Sequence, residues 1–143
     1  MTDILPPIAV LLKEARGAYG VAIHHQLTAR GFDAVPLNGA FVLGALHHEA
    51  SRENIEHERG RALEKGQTIA QLVAAGYLLD DGEWRLSERG HECAHAIYDA
   101  TSSLTNRLAE VMGDEGYAHF VAGLLTLIEF KEEVEEGGAL DAS

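Results

Sequence analysis

Residues 71–90, "QLVAAGYLLDDGEWRLSERG", decide how this chain folds. An alanine-rich apolar stretch closes on Gly76, and glycine is the residue that most often ends a helix. "YLLDDGEWRLS" (77–87) then sets apolar and aromatic residues on either side of Asp81-Gly82, a dipeptide that favours the tight turn of a β-hairpin. Ser87 follows as the cap of a new helix, continued by Cys93, Ile97, Ala100, Leu104, Leu108 and Val111 at steps of three and four. Helix, short hairpin and long helix are the expected order. The hairpin tip is acidic, with Asp80, Asp81 and Glu83 beside a single base, Arg85.

Upstream, "RALEKGQTIAQLVAAG" (61–76) reads as a helix burying Leu63, Ile69, Leu72 and Val73. "SRENIEHERG" (51–60) predicts a short polar helix, capped by Ser51 and stopped at Gly60, and "NGAFVLGALHHE" (38–49) one capped by Asn38. Near the N-terminus, Ile8, Leu12, Ala15, Tyr19, Ala22 or Ile23, and Leu27 form one helical stripe ended by Gly31, and Pro6-Pro7 suit its first turn. "DEGYAHFVAGLLTLIEF" (114–130) is the expected last helix, with Tyr117, Phe120, Val121, Leu124, Leu125 and Ile128 buried.

This order predicts a mainly α fold in one domain over 1–143. A winged helix-turn-helix lobe with a short two-stranded β-wing spans 37–86, between long helical segments at 1–36 and 87–130, with an acidic tail at 131–143. The terminal helices are too long and apolar for so small a lobe to cover. Homodimerisation through them, about a two-fold axis, would bury them.

A chain of 143 residues suits one core, and no apolar run approaches the roughly 20 residues that span a bilayer. The first residues lack a basic start and a small-residue cleavage site, which predicts no signal peptide. A lone cysteine, Cys93, allows no internal disulfide and agrees with a cytoplasmic location. The net charge is −12, of which residues 129–143 carry −5 through six acids and one lysine. Such a balance repels nucleic acid unless a local basic patch outweighs it.

Four stretches, "GFDAVPLNGAFVLGAL" (31–46), "GQTIAQLVAAGYL" (66–78), "LSERG" (86–90) and "GYAHFVAGLLTLIEF" (116–130), give the chain a resemblance to the MarR family of bacterial transcription regulators. That resemblance implies a homodimeric regulator on double-stranded DNA, with residues 61–75 in the major groove, residues 79–85 as the wing, and release by a small apolar or phenolic ligand. It implies DNA contacts from Arg59, Arg61, Lys65, Gln67 and Arg85, and a ligand pocket bordered by Tyr19, Ile23, Phe41 and His47. The chain departs from the family pattern in three places. Its wing lacks the usual Asp-x-Arg-Asp-x-Arg run. Glu58-Arg59-Gly60-Arg61 stands where a Leu-Gly-Val-Ser type turn is usual, and residues 37–90 hold nine acids against six bases.

Eight histidines are many for this length, and His24-His25 and His47-His48 are adjacent pairs. His91 and His95 share a helix face at a workable metal-ligand spacing, which admits zinc or haem. Cys93 falls about 200° round the helix from them and reads as a core residue. There is no Gly-rich phosphate loop, nucleophile elbow or His-Glu-x-x-His motif, so no catalytic residue is assigned. The alternative to a regulator is a MarR-fold dimer that no longer binds DNA. It would serve as a small-molecule, metal or haem binder, a partner-binding decoy or a recruited enzyme. The two readings separate on whether Glu53, Glu56, Glu58 and Glu64 face outward with the wing acids.

Overall fold

The structure is a computed structural model that describes residues 7–33 and 35–137. Pro6 and the end of the expected tail, residues 138–143, lie outside the described residues. Among the described residues the fold is mainly helical with one two-stranded antiparallel sheet. Its elements are α1 (Ile8–Ala29), α2 (Leu37–His47), α3 (Arg52–Lys65), α4 (Thr68–Ala74), β1 (Leu78–Asp80), β2 (Trp84–Leu86) and α5 (Glu88–Glu135). Residues 1–104 and 105–143 form two compact units. No helix among the described residues is long and apolar enough to cross a membrane.

The quoted stretch folds as expected. Leu78 pairs with Leu86, Leu79 with Arg85 and Asp80 with Trp84, and Gly82 takes the positive φ of 105° that the turn requires. The Ser87 N–H donates to the Tyr77 carbonyl at 3.0 Å, and the Ser87 hydroxyl accepts from the Gly90 N–H at 3.0 Å. The start of α5 is thereby tied to the start of the hairpin. Tyr77 is fully buried, and its hydroxyl accepts from the Asp33 N–H at 3.0 Å. Leu27, Val42, Leu43, Ile55, Leu72, Tyr77, Leu78, Cys93 and Ile97 are the centre of the first unit's core.

Several expectations need correction. Gly60 does not stop a helix: α3 runs through it to Lys65, held in register by Ile55 and Leu63, both buried. A single mid-helix glycine lowers helix stability by about 1 kcal/mol, too little to end a helix anchored on both sides. The break comes instead at Gly66-Gln67, where Gln67 is left-handed at φ 52° and starts the seven-residue α4. Residues 61–75 are therefore not one helix, and Val73 is exposed.

The α1 stripe is buried only at Ile23 and Leu27, whereas Ile8 is 65 % exposed. In the second unit Phe120, Leu125 and Ile128 are also exposed, as is Val111 at 85 %. Helical geometry breaks at Gly113, φ 75° and ψ 164°, where the last helix was expected to begin. It then continues through Glu135, beyond the Phe130 boundary set for the tail. Finally, α2 begins at Leu37 after Pro36, so Asn38 is not its cap; its side chain accepts from Arg16 at 3.2 Å.

Candidate functional site

Two surfaces of the first unit carry the residues singled out by sequence. The first is built from α3, α4 and the hairpin. Arg59, Arg61 and Lys65 occupy the last two turns of α3, although Arg61 and Lys65 were expected to open the following helix. Gln67 is the residue before α4, and Arg85 lies in β2.

Most of the basic charge on this surface is already engaged. Arg85 pairs with Asp81 inside the hairpin. Arg52, which sequence alone did not single out as a contact residue, clamps the hairpin to α3. It pairs with Glu56, reaches Asp80 at 3.4 Å, donates to the Gly82 carbonyl at 3.0 Å and lies 4.7 Å over the Trp84 ring. The hydrogen bond to Glu56 raises its already high pKa. Arg59 lies over the Phe41 ring at 4.9 Å, so a residue expected at DNA covers one expected at a ligand. Among the described residues Arg61 and Lys65 are exposed and make no ion pair.

The acids are all outward. Glu53, Glu56, Glu58 and Glu64 on α3 and Asp80, Asp81 and Glu83 on the hairpin are exposed, seven carboxylates beside five bases. A cavity of about 410 Å³ between α3, α4 and β2 is lined in part by Arg61, Gln67 and Trp84. The indole N–H of Trp84 is buried without an acceptor.

The second surface lies where the ends of α1 and α2 meet the start of α5. It is an open cavity of about 560 Å³ lined by Arg30, Phe32, His47, His91, Glu92 and His95. His47 is the last residue of α2, and its ring centroid lies 6.4 Å from that of His91 and 6.3 Å from that of His95. His95 Nδ1 faces Asp99 Oδ2 at 3.4 Å, and the same oxygen accepts from Arg30 at 2.7 Å. The Arg30 hydrogen bond holds the Asp99 carboxyl below its usual range.

No family model and no curated protein matches this chain.

Of the residues expected at a ligand, only His47 borders this cavity. Ile23 is a core residue, Tyr19 is half-buried on α1, and Phe41 lies under Arg59. His24 and His25 are exposed on α1, and His48 packs against Tyr98 with ring centroids 5.8 Å apart. Cys93 is fully buried on the opposite side of the helix from His91 and His95, and burial pushes its thiol up to about 11. Among the described residues no group of three His, Cys, Asp or Glu side chains could hold a metal ion. Sequence reasoning missed Asp99 and Arg30. Asp99 was findable, being four residues beyond His95 on the same helix face; Arg30 carried no signal.

Proposed function

We propose that the protein is a MarR-like winged helix-turn-helix dimer that acts as a ligand-binding protein through its histidine-lined cavity, its groove-facing surface being unsuited to DNA. One observation carries this reading: Arg52 and Arg85 are spent on internal carboxylates, Arg59 on Phe41, and seven acids face solvent around them. Phosphate contacts supply nearly all non-specific affinity and position the specific contacts. A surface that leaves only Arg61 and Lys65 unpaired among seven acids has little of either. Pairing through the terminal segments is supported by the apolar side chains left in solvent at Ile8, Leu11, Val21, Val111, Leu125 and Ile128.

The regulator reading retains one supporting observation. Arg61 and Lys65 are exposed and unpaired beside Gln67, which a dimer would present as four free cations. Four phosphate contacts correspond to a log–log salt slope of about −3.6, a loss of roughly 150-fold between 50 and 200 mM salt. DNA binding of that kind is visible only at low salt. The test is a fluorescence-anisotropy titration at low ionic strength of the untagged protein against a duplex from upstream of its own coding sequence. No saturable binding is expected. Saturable binding that disappears in an Arg61→Glu, Lys65→Glu double variant would restore the regulator reading.

A further inference from the structure

From the lining of the cavity between α3, α4 and β2, we infer that this cavity is a binding site for a small zwitterion of the free amino-acid type with an apolar side chain. It shares no lining residue with the histidine cavity and goes beyond the ligand-binding reading given above. Three locally unfavourable features converge on its wall. Gly60 lines it from the middle of α3, where glycine weakens a helix more than any residue except proline. Trp84 lines it with a side chain only 8 % exposed, and its indole N–H is buried without an acceptor. Gln67 lines it while holding a left-handed φ of 52°, a backbone conformation unfavourable to a residue with a side chain. Such departures from local preference collect at functional sites.

The glycine accounts for part of the space. A Cβ at Gly60 would meet only Glu56 Cβ, at 4.0 Å, so no neighbour forbids a side chain there. A larger residue at this lining position would instead take up cavity volume. That volume, about 410 Å³, is within the range of small-molecule sites, roughly 300–1,000 Å³.

Charge sets the class of ligand. The lining holds two guanidiniums, Arg52 and Arg61, and two carboxylates, Glu56 and Glu64, so its net charge is zero. Arg52 and Glu56 pair with each other. Arg61 and Glu64 are exposed, make no ion pair among the described residues, and stand three residues apart on one face of α3. One small molecule that carries both a carboxylate and an ammonium can meet the two together. A simple anion at Arg61, or a simple cation at Glu64, sits beside a like charge. Leu63 and Ile69 add apolar lining for a side chain. Among the described residues the Trp84 indole is the one buried side-chain donor without a partner, and a carboxylate has acceptor positions left after one guanidinium has donated to it.

The experiment uses the full chain without DNA and reads the emission of Trp84, the sole tryptophan, with calorimetry as the second measurement. L-Phenylalanine and L-leucine are titrated beside phenylpropionate, which lacks the ammonium, and phenethylamine, which lacks the carboxylate. One molecule of at least one amino acid per chain is expected, with a Kd of about 1 mM and binding of both truncated compounds weaker by about tenfold or more. Arg61→Gln and Glu64→Gln, both at exposed positions, should each weaken amino-acid binding about tenfold. Trp84→Phe, followed by calorimetry, should weaken it several-fold by removing the N–H. Gly60→Leu should abolish it while thermal melting shows a folded chain. Absence of saturable binding of either amino acid at about 10 mM overturns the inference, as does phenylpropionate binding as tightly as phenylalanine. Binding that survives Gly60→Leu places the molecule elsewhere, the histidine cavity included, and overturns it too. None of these substitutions touches the histidine cavity and no DNA is present, so a failure here leaves the earlier readings to their own test.

Discussion

Gly90 lies at the junction that positions the histidine cavity, and its replacement by alanine tests the junction directly. A Cβ on Gly90 would stand 2.0 Å from the Tyr77 carbonyl oxygen and 2.9 Å from its carbon, where ordinary carbon–oxygen contact begins near 3.3 Å. The overlap, about 1.3 Å, is with main chain, which cannot swing aside. Relief requires the first turn of α5 to move off the hairpin, straining the Ser87–Tyr77 hydrogen bond beside a fully buried ring. Overpacking contributes about 1–3 kcal/mol and a broken buried hydrogen bond a similar amount. The better helix propensity of alanine returns about 1 kcal/mol. Gly90→Ala should therefore destabilise by about 3 kcal/mol. Gly60→Ala is the matched control. Gly60 is inside α3, its backbone is not left-handed, and an added Cβ meets only Glu56 Cβ at 4.0 Å. That variant should stabilise by about 0.5–1 kcal/mol. Denaturant unfolding at one protein concentration, followed by far-ultraviolet circular dichroism, measures both. If Gly90→Ala unfolds within about 0.5 kcal/mol of the parent, the junction is wrong. A destabilised Gly60→Ala would return Gly60 to the end of a helix.

Two further outcomes follow from side chains already described. Trp84 is the sole tryptophan, so its fluorescence reports on the hairpin alone; Arg52→Ala, which uncovers the ring and frees Gly82, should shift the emission to longer wavelength, and an unchanged spectrum would mean the clamp is not formed in solution. The Cys93 thiol, raised to about 11 by burial, should stay unreactive to a disulfide reagent from pH 7 to 9 and react at once in denaturant. Rapid labelling of the folded protein at pH 8 would contradict the buried position.

What sequence could reach in this chain depended on how local the cause was. The hairpin, Ser51 capping α3 through the Asn54 N–H, Gly31 after α1 and the interruption at Gly113 all arise from residues within a turn of the feature they make. Gly60 misled because a glycine there has two lawful uses, ending a helix or sitting inside one. Ile55 and Leu63, buried against other elements, decide between them. The apolar stripes misled for a related reason. Spacing shows which side chains share a face; what covers the face is a separate matter, and at Ile8, Leu125 and Ile128 this chain leaves it in solvent.

The candidate site shows the same division more sharply. His91, His95 and Asp99 share one helix at four-residue steps and were within reach of sequence, whereas His47 joins them only because α2 ends against α5. Charge behaves likewise. A count of acids and bases does not show which charges are engaged: a guanidinium already donating to Asp81, or to Glu56 and the Gly82 carbonyl, has few donors left for a phosphate. The acidic hairpin tip therefore does more than lack bases. Asp80 and Asp81, together with Glu56 from α3, hold Arg52 and Arg85 in pairs within the surface, so that removing those three carboxylates would free both guanidiniums for an outside anion.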